Sequence, residues 1–302
     1  MAHSVWGNCW SLIAALLLVP GSLAGQASRL DGLEAAMSAR IRRDTATVGV
    51  ALIDLATGRE LGTGALTRFH AASTMKVPVL IELARRVDAG DFRWDDSILV
   101  RNSFRSLADG STFQLDRKDD SDSTVYDMVG RREPIRLLAR LMIIRSSNLA
   151  TNLFIDQLGA ARVNATAHAL GADSIQVRRG VEDQKAFDLG MNNTTTARDL
   201  AVLLAALQQG KAASPASSAV ALDMLRGQEF NDGIPAGLPA GTRVAHKTGE
   251  LTAVFHDAAL IYPPGRAPFV LVVLTRGFGD RPAAMKMQSD LARLAWEAMV
   301  GS

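Results

Sequence analysis

The sequence predicts a mixed α/β fold: one antiparallel sheet built from strands at both ends of the chain, flanked by helices, with an all-α part inserted between the two halves. Three observations predict it. Thr47-Val48-Gly49-Val50-Ala51-Leu52-Ile53-Asp54 is an aliphatic, β-branched run with turn residues behind it. Residues 242–247, 254–262 and 268–275 have the same character near the C terminus. Between these two groups the apolar residues recur at helical spacing, which puts a helical block inside a strand-forming frame.

Taken in order, the chain starts with residues 1–25, which read as a secretory signal peptide. Trp10 to Pro20 is an apolar run, and the small residues Gly21-Ser22-Leu23-Ala24-Gly25 follow it, with cleavage expected near Ala24. The run is shorter than the roughly 20 apolar residues of a spanning helix, so no stable membrane insertion is expected after cleavage. Its n-region has His3 but no Lys or Arg, a departure that leaves an uncleaved anchor as the alternative. Export implies a periplasmic or secreted protein. Cys9, the one cysteine, would leave with the signal, so the mature chain 26–302 would have no disulfide and no thiolate chemistry.

Leu30 to Ile41 places Leu30, Leu33, Ala36, Met37 and Ile41 near helical spacing. The strand at 47–54 turns at Ala56-Thr57-Gly58, and Glu60 to Thr63 returns as a second strand. Ser73 to Val87 reads as a helix with Pro78 in its first turns, where a missing N–H costs least. Pro134 opens a helix with Ile135, Leu138, Leu141 and Met142 on one face, and Asn148 to Leu158 forms another that stops at Gly159. Thr196-Ala197-Arg198-Asp199 is a capping box, Asp standing for the usual Glu or Gln, and Gly210 ends the helix behind it. After the late strands, Met287, Leu291, Leu294 and Met299 mark a last amphipathic helix. The sheet-bearing part is therefore expected at 28–72 and 211–302 and the all-α part at 73–210, with the cleft between them as the natural site.

Composition narrows the function. With 48% hydrophobic and 21% charged residues the chain is globular rather than disordered. Its 33 basic and 31 acidic residues are interspersed, without the basic stripe of a nucleic-acid binder. The histidines (His3, His70, His168, His246 and His256) show no metal-ligand spacing, so neither metal nor cofactor is expected.

Three short motifs carry chemistry. In Ser73-Thr74-Met75-Lys76 a hydroxyl and an amine stand one helical turn apart, where the amine can take or hold the serine proton and the helix N-terminus favours charge on the oxygen. Ser146-Ser147-Asn148 lies between two amphipathic helices, and its hydroxyl and amide suit proton relay and substrate binding, or else simply cap the second helix. His246-Lys247-Thr248-Gly249 ends a strand. There Lys247 and Thr248 can bind a carboxylate, Gly249 lets a ligand approach the backbone, and the next N–H can face an oxyanion.

S-x-x-K, S-x-N and K-T-G in this order resemble the serine β-lactamases and penicillin-binding proteins, over Ser28 to Ser302. The stretches 146–152, 193–200 and 247–249 look most like the class A β-lactamase branch. The resemblance implies a serine β-lactamase-like α/β fold and a β-lactam-opening hydrolase. It implies Ser73 as nucleophile, Lys76 as its close base or proton carrier, Ser146 as proton relay to the leaving nitrogen, and Asn148 as the group orienting the substrate amide. Lys247 and Thr248 would hold the β-lactam carboxylate, Gly249 would let the substrate approach the backbone, and the N–H groups of Ser73 and Glu250 would form the oxyanion hole. The partner would be a small β-lactam or cell-wall peptide, and the protein is expected to act as a monomer.

The sequence departs from the family at two motifs. Ser147 stands where class A enzymes usually carry Asp, and the deacylating loop, roughly R-x-E-P-x-x-N in the family, reads Arg178-Arg179-Gly180-Val181-Glu182-Asp183-Gln184-Lys185. Glu182 is the expected water-activating base and Asp183 the alternative, unless both are solvated loop carboxylates. His256 lies where many relatives carry a basic residue near the substrate carboxylate, or else it is packed. The charged segment Asp109 to Arg132 reads as an insertion near the cleft mouth. Two other functions stay open: a D-alanyl-D-alanine peptidase or esterase, and a penicillin-binding sensor that remains acylated.

Overall fold

The computed structural model describes residues 21–301; residues 1–20 of the expected signal peptide, Cys9 among them, lie outside the described residues. Helix α1 (Gly21–Ile41) leads to β1 (Thr47–Asp54), β2 (Glu60–Leu61) and β3 (Phe69–His70). A 3-10 turn (Ala72–Met75) then runs into α2 (Lys76–Asp88). Strands β4 (Ser97–Leu99), β5 (Phe104–Arg105), β6 (Thr112–Phe113) and β7 (Arg132–Pro134) precede α3 (Ile135–Ile144), α4 (Asn148–Leu158) and α5 (Ala160–Ala169). Next come α6 (Gln184–Asp188), β8 (Thr194–Thr195), α7 (Ala197–Gln208) and α8 (Pro215–Arg226). Strands β9 (Arg243–Leu251), β10 (Val254–Tyr262), β11 (Phe269–Arg276) and helix α9 (Arg281–Val300) complete the chain.

The main sheet has the order β2-β1-β11-β10-β9, antiparallel at every pair, so the two ends of the chain meet along β1 and β11 from Thr47↔Arg276 to Asp54↔Phe269. Both faces are covered, and alternate residues divide between them. Val48, Val50, Leu52, Leu271 and Val273 pack with Leu30, Leu33, Met287 and Leu291 of α1 and α9. Ala51, Ile53, Val270, Val272 and Leu274 join the core of the helical block. Helix α7 lies on that inner face against β1, β10 and β11, while α8 packs on α2, α3 and β9. The segment 73–210 carries, besides its helices, the ribbons β4–β7 and β5–β6 and the strand β8 that pairs with β3.

Several expected boundaries move. Strand β2 stops at Leu61, although Val50 N still donates to the Thr63 carbonyl at 2.8 Å; Gly62 presses so close to β1 that a Cβ there would sit 2.3 Å from the Val50 carbonyl oxygen, and Gly64 turns at φ +61°. The helix expected from Ser73 starts at Lys76, with Ser73 in the 3-10 turn before it. The K-T-G motif is not a strand end, since β9 continues to Leu251. The motif therefore lies inside the edge strand, whose unpaired side faces the helical block. The capping box is present as expected, Thr196 accepting from Asp199 N and the Asp199 carboxylate accepting from Thr196 N.

Candidate active site

The 3-10 turn, the α3–α4 junction, strand β9 and the loop before α6 converge on a cavity of about 660 Å³. Lys76 is fully buried there. Its Nζ lies 2.9 Å from Ser73 Oγ, 2.6 Å from the Ser146 carbonyl oxygen, 3.1 Å from Ser146 Oγ and 2.9 Å from Asn148 Oδ1. Burial pulls its pKa from 10.5 down to about 7, against the carboxylates of Asp120 and Glu182, which hold it up. A neutral amine has two hydrogens and one lone pair. The Ser146 carbonyl and the Asn148 amide oxygen can only accept, so they take the hydrogens and leave the lone pair for the Ser73 hydroxyl.

Lys247, also fully buried, donates from Nζ to Ser146 Oγ at 3.0 Å and to the Thr248 carbonyl at 2.9 Å. Burial, and then the charge of Lys76, push its pKa well below the lysine range. Ser146 thus stands between two lysines with its hydroxyl fixed by Lys247. Ala72, Ser146 and Glu182 have φ of +44°, +62° and +64°, and among the described residues only one other non-glycine shares this left-handed region. Such conformations persist where surrounding contacts over-determine them, and here they aim site residues at one cavity.

Asn148 bridges the two halves of the site: its Oδ1 faces Lys76 while its Nδ2 donates to Glu182 Oε1 at 2.8 Å. Burial raises the Glu182 pKa. Asp183 is separated from this group. Its carboxylate accepts from Ser106 Oγ and Leu107 N, each at 2.7 Å, and it caps α6. The two loop acids, expected as alternatives or as solvated carboxylates, both border the cavity but turn apart, Glu182 toward Asn148 and Asp183 toward Ser106 and Leu107 of a neighbouring loop. Thr248, Gly249 and Glu250 line the cavity from β9. A Cβ on Gly249 would sit 3.0 Å from Ser73 N, so glycine there lets the edge strand press against the 3-10 turn and brings the Glu250 backbone beside it. The Glu250 side chain itself turns to Arg281 at 2.8 Å.

His256 does not reach the cavity. Its Nε2 lies 2.8 Å from the His70 carbonyl, its Nδ1 accepts from Thr275 N, and burial lowers its pKa to about 4, so it packs as a neutral ring edge-on to Phe69.

Several site residues gave no signal of their own. Asp120, from the segment read as an insertion, accepts from Asn148 N and Leu149 N at 2.9–3.0 Å, and Ser147 caps Ala150 N of the same helix. A serine and a distant carboxylate together cover the turn where the family carries one Asp, and residues 28 apart show no spacing pattern. Asn152 clamps the loop, accepting from Val181 N at 2.6 Å and donating to its carbonyl at 2.9 Å. Gly180 makes room for it, since a Cβ there would meet Asn152 Oδ1 at 2.8 Å. Asn193 closes the loop base through Arg178 N and Arg179 N.

The chain matches the Beta-lactamase enzyme family over residues 32–299. It is 27% identical over 259 residues to a β-lactamase of Streptomyces albus G, a match covering 84% of this chain and 78% of that protein. Among solved structures it resembles PBP-A with a TM-score of 0.77 at 28% identity, covering 89% of this chain and 96% of that one. It likewise resembles an ancestral (GNCA) class A β-lactamase with a TM-score of 0.74 at 29% identity, covering 90% and 99% of the two chains. The motifs, the fold and these likenesses agree: the chain belongs to the β-lactamase enzyme family, within the serine β-lactamase and penicillin-binding protein superfamily.

Proposed function

We propose that the protein hydrolyses β-lactams through an acyl-enzyme on Ser73. One observation carries the reading: the lone pair of a near-neutral Lys76, 2.9 Å from Ser73 Oγ, with both of its hydrogens committed elsewhere. Ser73 gives its proton to Lys76 as Oγ bonds to the lactam carbonyl carbon. The N–H groups of Ser73 and Glu250 stabilise the oxygen on which charge develops. The proton then passes through Ser146 Oγ to the lactam nitrogen as the C–N bond breaks, with Lys247 holding that hydroxyl in place. Lys247 and Thr248 attract the carboxylate of the substrate, and Asn148 orients its amide. Glu182 takes a proton from water as the water oxygen bonds to the ester carbonyl carbon; the C–Oγ bond then breaks and that proton returns to Ser73 Oγ, which regenerates the hydroxyl and the Glu182 carboxylate. The apolar run at 10–20 supports export, with a monomer working in the periplasm or outside the cell.

The first experiment follows hydrolysis of a chromogenic cephalosporin by residues 26–302 beside Ser73→Ala. Sustained turnover that Ser73→Ala abolishes is expected. A single stoichiometric burst would instead favour the sensor or the D-alanyl-D-alanine peptidase, and no reaction would overturn the reading. Glu182→Gln should accumulate a covalent adduct visible by intact-mass spectrometry, and unchanged turnover in that variant would remove Glu182 from its role.

A further inference from the structure

The loop side of the cavity holds a group that the acylation chemistry does not use. Arg179 is only 6% exposed; the Asp183 charge acts on it, yet among the described residues no carboxylate comes within salt-bridge distance. Its Nη1 donates to the Gly180 carbonyl at 3.0 Å and its Nη2 to Asn192 Oδ1 at 3.2 Å, both neutral acceptors. Its Nε is buried with no partner. The guanidinium lies over the Phe187 ring, 5.4 Å from the centroid. His70 approaches the same ring at 6.2 Å. His70 Nδ1 accepts from Ala72 N at 3.0 Å, so a neutral ring carries its hydrogen on Nε2, which is also buried and unpartnered. Asn192 lies near the ring without reaching hydrogen-bond geometry.

Buried donors without acceptors are rare because each forfeits its hydration. Here two of them, one cationic, flank one aromatic ring on the wall of an open cavity. The acids of the same wall are engaged elsewhere: Asp183 with Ser106 Oγ and Leu107 N, Glu182 with Asn148. Asp183 reaches Arg179 only through its charge at a distance, so the corner has no carboxylate in salt-bridge contact, and a planar carboxylate matches the guanidinium best.

We propose that Arg179 and His70 form a subsite for a carboxylate on the acyl side chain of the substrate. The inference rests on the proposed acylation at Ser73. With the ring carboxylate drawn to Lys247 and Thr248 on β9, the loop side receives the other end of the substrate. The protein should therefore prefer β-lactams whose side chain bears a negative charge near the amide.

Benzylpenicillin and carbenicillin differ by one such carboxylate, and kcat/KM for the pair tests the subsite. Two variants complement each other. Arg179→Gln removes the cation. Asn192→Asp keeps the guanidinium and its hydrogen bond but sets a carboxylate against it, so it neutralises the subsite without emptying the buried space. Both variants should lower kcat/KM for carbenicillin about tenfold while changing benzylpenicillin less than about twofold. Equal losses on both substrates, or no loss on carbenicillin, would overturn the subsite. A second readout needs no turnover: sulfate should raise the Tm of the unsubstituted protein more than that of either variant, beyond the general rise that sulfate gives any folded protein, and an equal response in all three overturns the proposal. If neither penicillin is turned over, the hydrolysis reading fails and the sulfate response alone decides the subsite.

Discussion

With its pKa drawn down to about 7 by burial, Lys76 passes from ammonium to amine near neutral pH. Only the amine can take the Ser73 proton, so under the proposed mechanism the acylation burst should rise with pH and level off above about 7 in stopped-flow measurements. The same depression sets a stability slope. The unfolded lysine titrates near 10.5 and the folded one near 7, so between those values the unfolded chain binds more protons and stability increases with pH. Urea unfolding of Lys76→Met should lose that part of the slope. Asp120 props up the Lys76 charge and accepts from the α4 amides, so Asp120→Asn should move the acylation limb to lower pH and cost about 1–3 kcal/mol in urea. Ser73, Lys76, Ser146 and Lys247 were legible because three motifs, each weak alone, stand in one order along the chain. Asp120 and Asn152 were not, because their meaning lies in partners 28 and 29 residues away, and Arg179 was not, because its burial shows only in the folded loop.

Helix ends carry the site, and their chemistry divides neatly at the α3–α4 junction. Ser147 caps the helix while Ser146 and Asn148 turn to the lysines, so capping and site roles, which looked like alternatives in the sequence, belong to neighbouring residues. Ser147→Ala should cost about 1 kcal/mol of stability by urea titration. The loop from Arg178 to Asp183 depends on Asn152, so Asn152→Ala should slow release of the acyl-enzyme far more than its formation, read by intact mass against time. Helices with strong periodicity were legible almost to the residue, as Asn148–Leu158 is. Helix α8 was missed although Ser214 caps it and Pro215 opens it, because its alanines and serines blur the apolar stripe. The end of β9 was also missed, since Gly249 and Glu250 look like a turn until the pairing with β10 is seen.

At the scale of the molecule, the sheet was legible from its long aliphatic runs, while the two-residue ribbons were not, being too short to show a period. Leu271, central in β11 and fully buried, pairs with β1 and packs under the terminal helices, and Leu271→Ala should cost about 2–5 kcal/mol in urea. The pairing of β1 with β11 also sets a timetable. At synthesis rates of about 5–20 residues per second, the roughly 220 residues between these strands take on the order of 10–45 s to emerge. Throughout that interval β1 lacks the neighbour that covers its longer edge. The nascent chain therefore cannot close its central sheet early, and a message truncated before β11 would leave a long apolar strand bare for capture by chaperones or for aggregation.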